Sequence, residues 1–494
     1  MTSKLEAVAH PAMPSDTSGL LRLFGRNTFW IWVDRGVLSV GTLFAGLFLI
    51  RYLAPADFGL YSVALSAGML AAVAMDLGYS RYAARAVAAC PAEGRSILTA
   101  SLFFSALFGL AELAAMLAAL QLRATYFAAV CAGLLLGNFA RLHDLTAAFL
   151  RAELRPRAMV WASTLGRLSH IVVIFLVVWF RGSVLDLFVG YIFVAVPGLV
   201  LRLYQLRHHR PAWSELRWGA MWSLTLRAWP FFSFSLTELG FSQVFLISFS
   251  LVASQHEVGL LAAGLAIVSL LHQGASAVAD AVLPLMTRLF EGGRMAEVLA
   301  LRDRILEGLL VLTLPAVAVL FVFAPQICAL LGAKYVACAP ILRLLALRAP
   351  LWILEGFLGA GFLNATNRVG ERRNAFAMAL LVLVILTLVL GSAWCGEGAA
   401  VAFWVATLCV LHSYTRFCLA HGDRLNLVGM FAATAPAAAV MAALCFTLSD
   451  AMHWALTLPP AILAYFILLL ITARARVRSV GRTLWQCLVG QEST

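Results

Sequence analysis

The chain has 494 residues, of which 62% are hydrophobic and only 12% are charged, and its net charge is +12. Soluble domains carry about 25% charged residues, so a soluble fold of this length would lack the polar side chains needed to cover its surface. The positive charge does not indicate nucleic-acid binding, because the arginines lie in short gaps between apolar runs and form no basic helix or aromatic-interleaved patch.

Several kinds of chemistry are also excluded by motif. The nine cysteines are scattered without a C-x-x-C pair, so the sequence predicts neither a disulfide framework nor a zinc site. Lysine occurs only at Lys4 and Lys334, so no phosphate-binding loop can form. No G-x-S-x-G or H-E-x-x-H motif is present. We therefore predict no cofactor, no metal, no nucleic-acid partner and no enzymatic activity.

The predicted fold is all-α, with about fourteen transmembrane helices. Residues 1–28 are polar and lack the apolar core of a cleavable signal peptide, which predicts a cytoplasmic N-terminus. Fourteen apolar runs that could cross about 30 Å of hydrocarbon follow. They lie near 29–50, 58–78, 96–119, 125–149, 158–180, 183–203, 228–252, 258–284, 305–325, 341–363, 375–394, 398–420, 425–448 and 452–472.

These runs fall into two groups of six and a final pair. The first six form a predicted N-lobe and the next six a predicted C-lobe. A basic cytoplasmic linker separates the lobes, and a basic cytoplasmic tail ends the chain. In chain order the segments are the N-lobe 29–203, the linker 204–227, the C-lobe 228–420, the pair 425–472 and the tail 473–494.

The basic residues support this topology. With the N-terminus in the cytoplasm, 27 of the 36 lysines and arginines fall in cytoplasmic segments and 4 fall outside. Such an excess is the positive-inside bias of membrane proteins. One missed helix would exchange the predicted sides of all later loops and destroy this bias, so the bias supports the count of helices. An even number of spans also predicts that both termini lie in the cytoplasm. The remaining basic residues lie within spans: Arg35, Arg141, Arg167, Arg343 and Arg348.

Two short motifs suggest that the halves are repeats. Asp57-Phe58-Gly59-Leu60 opens the second span, and Glu257-Val258-Gly259-Leu260 opens the eighth span 200 positions later. Both motifs follow a short outer turn and precede an Ala/Ser/Leu-rich helix. Six helices per half would make the repeats parallel, as in several transporter folds.

Two longer stretches carry a family resemblance. Residues 51–62 read RYLAPADFGLYS and are followed by Asp76-Leu77-Gly78 and Arg85. A second stretch runs from LLGAKY at 330–335 through APILRLLA at 339–346 to LNATNR at 363–368. Together they resemble the polysaccharide transporter family of the multidrug/oligosaccharidyl-lipid/polysaccharide superfamily, which includes the O-antigen and exopolysaccharide flippases. Ala54 departs from the glycine that is usual in the first motif.

The resemblance implies a MATE-like, two-lobed fold with a central cavity. Its implied activity is alternating-access transfer of polyprenyl-diphosphate-linked oligosaccharides across the bacterial cytoplasmic membrane, for surface polysaccharide synthesis. The implied partners are this lipid-linked substrate and the bilayer, with a polysaccharide polymerase and chain-length machinery as further candidates.

Arginines within spans are the predicted substrate-cavity residues. A charge at the bilayer centre costs about 2.5–3.5 kcal/mol on insertion scales, so it needs a partner or water. Arg167 lies nearly ten residues into the fifth span with no acid within four positions, and its planar fork suits a diphosphate. Arg35, Arg141 and Arg348 complete the predicted set.

Local explanations remain open for two of these arginines. Arg141 and Asp144 stand at i,i+3 and can pair on one helix face. Arg35 and Asp34 lie about one turn inside the membrane, where the arginine can snorkel to the interface.

The acids within spans are candidates for coupling or pairing. Glu238 and Asp280 lie on adjacent predicted helices, where they can pair with arginines of the first half, bind a coupling cation or proton, or form local hydrogen bonds. The full set of candidate coupling or pairing acids is Asp34, Glu238, Asp280 and Glu355.

Three other functions compete with the flippase prediction. A cation-coupled multidrug exporter would have the same fold, but its cavity should be acidic, whereas several spans of the first half carry arginine. A flippase for the peptidoglycan lipid precursor would share both the fold and the diphosphate chemistry. A membrane glycosyltransferase or polymerase would need more extramembrane surface than the longest outer loop, about Gln326–Pro340, provides.

Overall fold

The protein is described here by a computed structural model, which covers residues 41, 45–90, 93–153, 156–209, 217–423, 425–449 and 454–472. The regular structure of these segments is helical, which confirms the predicted all-α class. The first helices are α1 Pro55–Asp76, α2 Tyr79–Ala89, α3 Glu93–Gln121, α4 Thr125–Ala152, α5 Pro156–Trp179, α6 Val184–Gln205 and α7 Trp218–Ser250. The others are α8 Gln255–Glu291, α9 Met295–Val322, α10 Ala324–Leu331, α11 Ala339–Gly356, α12 Val369–Ala420, α13 Leu427–Ser449 and α14 Trp454–Thr472.

Every predicted span from the second to the fourteenth has a helical counterpart in the described segments. Ten of the helices there are long and apolar enough to cross a membrane, and two shorter apolar helices accompany them. The protein is therefore a multi-pass membrane protein. Most of the first predicted span, 29–50, lies outside the described residues, so the total of fourteen stays a prediction.

One boundary differs from the sequence prediction. The eleventh and twelfth predicted spans are two helices, together called α12, which meet at a sharp kink where Trp394 and Cys395 leave helical geometry and Cys395 takes a φ of 48°. The carbonyl of Leu390 lies 2.0 Å from where a Cβ on Gly398 would stand, so the reversal is tight and needs no loop. The boundary that differs is the start of helix α7 at Trp218, which lies ten residues before the predicted seventh span and inside the predicted linker.

The early start of α7 follows from its side chains. Met221, Leu224 and Ala228 are buried in the core, whereas Trp218 and Trp222 are exposed. The exposed tryptophans lie one turn apart on one face. Tryptophan favours the membrane–water interface, so this first part of the helix suits the bilayer boundary. Arg217 and Arg227 flank the segment and obscure this pattern in the sequence.

Contacts divide the chain into two compact units. The first contains Ala64–Leu236, and the second contains Ile50–Val63 together with the chain from Thr237 onward. The divisions fall inside α1 and α7 rather than in a loop. The predicted lobes, with their boundary in the linker, remain a prediction.

The first unit is held together around buried aromatic and aliphatic side chains. Tyr79 of α2 lies in this core, and its hydroxyl is 2.7 Å from the Oγ1 of Thr225 on α7. Helices α1 and α4 cross at small residues: a Cβ on Gly137 would lie 2.0 Å from the carbonyl oxygen of Gly68. Close backbone approach at small residues is typical of helix packing in membranes, where the hydrophobic effect does not drive association.

The second unit has its own core where the final pair packs on α9. Phe323, Met441, Cys445 and Tyr465 are fully buried there. The Tyr465 hydroxyl donates to the carbonyl oxygen of Val311 at 2.9 Å, which satisfies a polar group inside an apolar cluster.

The motifs singled out in the sequence meet at one end of the second unit. The first turns of α1 and α8 touch at Gly59 and Gly259; a Cβ on Gly259 would lie 1.7 Å from the carbonyl oxygen of Pro55. Only glycine permits this approach. Nearby, the Tyr335 hydroxyl donates to the carbonyl oxygen of Leu53 at 3.2 Å. Residues from three separate motifs therefore form one structural junction.

Candidate functional site

Arg348 is the centre of the most unusual polar region in the second unit. It lies on α11 and is fully buried. Its Nε donates to the Oγ1 of Thr407 on α12 at 2.8 Å. The guanidinium lies over two aromatic rings, 3.3 Å from the centroid of Phe403 and 4.5 Å from that of Trp352.

The other two guanidinium nitrogens of Arg348 have no hydrogen-bond partner among the described residues. Aromatic faces attract a cation, but by only about 2 kcal/mol when desolvated. A buried charge whose donors are unpaired costs several kcal/mol. An unpaired buried group of this kind calls for an explanation, and a ligand or a second conformation supplies one.

Glu355 faces the same region. It stands seven residues after Arg348, which is two helical turns and therefore the same side of α11. Its side chain is buried, and its carboxyl group interacts electrostatically with the positive charges of Arg348 and Arg372. Among the described residues it forms no hydrogen bond or ion pair, so both a buried acid and a buried base lie close together without a direct bond.

A π-helical segment begins two residues after Glu355. Residues Phe357–Leu363 take the wider π turn before the chain reaches α12. Gly359 lies against α12, where its Cβ would be 2.8 Å from the Nε of Arg372 and 2.9 Å from the hydroxyl of Tyr414. Glycine thus lets the chain pass close to this polar cluster, and π turns are frequent at functional sites.

Arg372 connects the cluster to α7. Its Nη2 donates to Glu238, with Arg372 almost fully buried and Glu238 about a quarter exposed. The sequence predicts that Glu238 pairs with an arginine of the first half, binds a coupling cation or proton, or forms local hydrogen bonds. The structure pairs it with an arginine of the second half, one that the sequence assigns to a cytoplasmic loop. The pair spans 134 positions, so no local signal in the sequence could reveal it.

His272 closes one side of the site. Its ring stacks on Trp352 with centroids 4.1 Å apart and planes 5° from parallel. Gly356 makes room for the ring, since a Cβ there would lie 2.9 Å from the Cε1 of His272. Asp280, two turns further along α8, has an exposed side chain and is not part of this cluster.

Arg141 occupies a different environment in the first unit. Its Nη1 donates to the carbonyl oxygen of Met75 and to the Oγ of Ser101, both at 3.2 Å, and its Nη2 donates to the Ser101 carbonyl oxygen at 3.0 Å. It therefore joins α1, α3 and α4. Asp144, the neighbour considered from the sequence, has an exposed side chain. A role for Arg141 in substrate binding remains a prediction.

The side chains of the other predicted substrate-cavity arginines and of Asp34 lie outside the described residues. Asp34 and Arg35 lie outside the described residues. Arg167 lies on α5, but its side chain is outside the described part of the chain. Their predicted roles stand as predictions.

A further buried arginine escaped the sequence analysis. Arg302 of α9 falls in a predicted cytoplasmic segment, yet it is fully buried. It forks onto Asp423, three residues beyond the end of α12, with Asp303 beside it. Both acids are close to the guanidinium, so this arginine is neutralised within the fold and is structural, in contrast to Arg348.

The fold is similar to that of solved membrane transporter structures. The chain aligns over 91% of its length with 99% of a lipid II flippase MurJ in an inward closed conformation, at a TM-score of 0.73 and 13% identity. It also aligns with an inward-facing multidrug resistance MATE family transporter at a TM-score of 0.54 and 17% identity, covering 76% of this chain and 94% of that one. A MOP superfamily transporter from Pyrococcus furiosus gives a TM-score of 0.53 at 15% identity, covering 79% and 94%.

Comparison of the sequence with protein families identifies the family to which the chain belongs. The family described as polysaccharide biosynthesis protein matches residues 25–290, more than half of the chain. The chain belongs to this family, which confirms the resemblance seen in the motifs. The matched range contains the motif at 51–62, whereas the second stretch lies beyond it. No curated protein is significantly similar to the chain.

Proposed function

We propose that the protein is a flippase that carries polyprenyl-diphosphate-linked oligosaccharide units across the bacterial cytoplasmic membrane by alternating access. The observation that carries this proposal is the match to a polysaccharide-biosynthesis family in a chain with a MOP transporter fold. Sugars and diphosphates do not cross hydrocarbon unaided, so a polysaccharide assembled outside the cell needs a carrier for its lipid-linked precursor.

Arg348 supplies a chemical group that fits such a substrate. A guanidinium binds phosphate oxygens through two parallel N–H donors, and two donors of Arg348 are unpaired in this conformation. The rings of Phe403 and Trp352 cover the guanidinium. We therefore propose that these rings or the adjacent π segment move when substrate binds. Arg35, Arg141 and Arg167 are the other proposed cavity residues.

Glu355 is the better candidate for energy coupling. Glu238 is already neutralised by Arg372, whereas Glu355 is buried between charges without a direct partner among the described residues. Uptake of a proton or cation at Glu355 would change the balance of charge around Arg348. We propose that this change is coupled to exposure of the arginine. Asp34 and Asp280 remain secondary candidates.

Deletion of the chromosomal gene should test the function directly. We expect lipid-linked oligosaccharide to accumulate on the cytoplasmic side, as measured by mass spectrometry of extracted lipids, and surface polysaccharide to be lost. The wild-type chain should restore export and Arg348→Ala should not, at equal protein level in the membrane. Export by Arg348→Ala at the wild-type rate would remove Arg348 from the mechanism.

Arg343→Ala is the matched control for Arg348. The two arginines lie on the same helix, but the Arg343 Nε donates to the carbonyl oxygen of Phe321 at 3.1 Å near the end of α9 and its side chain is partly exposed. We expect export to be maintained in this variant, since it removes a charge from α11 without touching the buried cluster.

A second candidate function is transfer of the peptidoglycan lipid precursor. It is favoured by the likeness to the lipid II flippase, whose TM-score of 0.73 exceeds the 0.54 of the MATE transporter. Rescue of growth in cells depleted of their own lipid II flippase would support this candidate. Altered drug susceptibility with normal surface polysaccharide would support the multidrug-exporter alternative. Partnership with a polymerase and chain-length machinery remains part of the first proposal.

A further inference from the structure

A buried acid on α3 lacks the hydrogen-bond donors that a carboxylate needs. Glu112 lies nine residues before the end of this helix, about 14 Å along its axis, and its side chain is buried. The opposite surface of the helix carries exposed leucines, as expected where a helix borders lipid: Leu107, Leu110 and Leu117. Glu112 therefore lies in the membrane-spanning part of α3, where an ionised carboxylate without a partner is costly.

The side-chain amide of Asn138 on α4 faces this acid. Its Nδ2 donates to the backbone carbonyl oxygen of Ser105 at 2.9 Å and lies 3.5 Å from the Oε2 of Glu112. Gly109 leaves room for the amide, because a Cβ there would lie 3.1 Å from the same nitrogen. The amide thus lies over α3 at Gly109, with Ser105 one turn before it and Glu112 one turn after it.

Two oxygens of this pair have no hydrogen-bond partner among the described residues: the Oε1 of Glu112 and the Oδ1 of Asn138. Both side chains are more than nine-tenths buried. The Ser105 hydroxyl is also unpartnered and forms no hydrogen bond to either oxygen. Turning the amide over would set its oxygen against the Ser105 carbonyl oxygen, so the orientation of Asn138 is fixed by its surroundings. Both unpartnered oxygens are acceptors, and neither side chain supplies the missing donor.

The titratable groups that face the pair do not supply it either. They are Cys131 and Arg141 of α4, with Asp76 of α1 beyond the arginine. The terminal nitrogens of Arg141 donate to other oxygens, and Asp76 accepts from the backbone N–H and the hydroxyl of Ser80. In the described part of the chain, Glu112 therefore has no counter-ion in direct contact.

We propose that Glu112 binds a proton in this conformation and forms a cyclic acid–amide pair with Asn138. The proton on Oε1 makes that oxygen a donor to the Oδ1 of Asn138, while the Nδ2 of Asn138 donates to Oε2. One proton thus satisfies both unpartnered oxygens and removes the charge from the membrane-spanning part of α3. A metal cation fits less well, because it needs several oxygens around one point and the amide N–H₂ group already lies between Glu112 and Ser105.

This proton has a different role from the one proposed for energy coupling. Glu355 lies in the second unit beside arginines, whereas Glu112 lies in the first unit beside an amide. The proton on Glu112 adds a hydrogen bond between α3 and α4 and is part of their packing. Its removal would set a carboxylate oxygen against the amide oxygen of Asn138, so a rise in pH should weaken this contact.

Infrared spectroscopy of the purified full-length protein tests the proposal, because protonated and ionised carboxyl groups absorb at different frequencies. At neutral pH, the spectrum of the wild type minus that of Glu112→Gln should contain the C=O band of a protonated carboxyl, which moves to lower frequency in D₂O. Glutamine offers an N–H donor and an oxygen acceptor in the same places, so this variant should melt at the wild-type temperature or above it. A difference spectrum with carboxylate bands and no protonated band would overturn the proposal.

Two further variants test the pairing itself. Asn138→Leu removes the amide, so the Glu112 band should move to higher frequency, whereas a band that stays at the wild-type frequency would overturn the acid–amide pair. Glu371→Gln is the control, since Glu371 is exposed in the first turn of α12 and its substitution should leave the protonated-carboxyl region unchanged.

The same spectra separate a proton from a metal cation. Replacement of sodium by choline should leave the Glu112 band unchanged, whereas a band that grows only after sodium is removed would assign the site to sodium and overturn the proposal. As the pH rises, the band should be lost and the wild type should melt at lower temperature relative to Glu112→Gln, whose amide does not titrate. No substrate enters these measurements, so they are independent of the proposed transport function.

Discussion

Arg141 and Arg348 are both arginines inside predicted spans, and both are buried, yet their surroundings differ. Arg141 gives its two terminal nitrogens to oxygens of Met75 and Ser101, and only its Nε lacks a partner. Arg348 has the reverse pattern, because its Nε is bonded to Thr407 and both terminal nitrogens are unpaired. Backbone and hydroxyl oxygens surround the first guanidinium, and aromatic rings surround the second.

The difference distinguishes an arginine whose terminal nitrogens are bonded within the fold from one whose terminal nitrogens are unpaired. Hydrogen bonds from a charged donor contribute about 1.5–3 kcal/mol, so Arg141 stabilises the packing of the three helices that it joins. Arg348 costs stability in the conformation described, since its charge is desolvated without full compensation. A residue that is costly in one state and paired in another is suited to drive a conformational change.

The largest expected effect is on transport by Arg348→Met. Methionine fills much of the same volume without a charge, so we expect export to be abolished while the detergent-solubilised protein is unchanged in stability or more stable by about 1–2 kcal/mol. Thermal unfolding and a surface-polysaccharide assay measure the two quantities. A large drop in stability would show that Arg348 is structural, and the contrast with Arg141 would fail.

Arg141→Met should have the opposite outcome. The substitution removes three hydrogen bonds between helices and leaves the oxygens of Met75 and Ser101 without their donor. We expect a loss of about 2–4 kcal/mol in stability, seen as a lower melting temperature and less protein in the membrane. Normal stability together with lost export would instead support the predicted role of Arg141 in the substrate cavity.

Helix α8 contains one glycine that is tightly packed against another helix and one that is not. A Cβ at Gly259 would overlap the backbone of Pro55, whereas a Cβ at Gly274 would meet nothing within 4 Å. Gly259→Ala should therefore cost about 1–3 kcal/mol by overpacking. Gly274→Ala, the matched control on the same helix, should be neutral or stabilising by about 0.5–1 kcal/mol. Equal melting temperatures for the two variants would contradict the close crossing of α1 and α8.

The smallest expected effect concerns the ion pair beside Arg348. Glu238 is about a quarter exposed, so solvent screens the pair, and each single substitution, Glu238→Gln or Arg372→Gln, should cost about 0.5–1 kcal/mol. The double variant should cost less than the sum of the two, because the charges compensate each other. Melting temperatures of the four proteins give the coupling energy. Strict additivity would mean that the two side chains do not interact in the membrane.

The positions of the helices could be predicted from the sequence far better than the side-chain contacts between them. Each apolar run described has a helix, because length and hydropathy alone decide whether a segment can span hydrocarbon. The start of α7 was missed because arginines flank its interfacial tryptophans. Arg302 and Arg372 fall in predicted loops because local charge suggests solvent, while the carboxylates of Asp423 and Glu238 that they contact lie 121 and 134 positions away.

Composition, hydropathy and motifs are sufficient to establish that this is a membrane protein, where most of its spans lie and to which family it belongs. These properties depend on composition and local order, which a chain carries along its length. The folded arrangement is needed to see which buried arginine has partners for its terminal nitrogens and which does not. It also shows that the motifs around Gly59, Gly259 and Tyr335 meet. Hydrogen bonds, ring contacts and close backbone approach depend on distances between residues far apart in the chain, and only folding sets those distances.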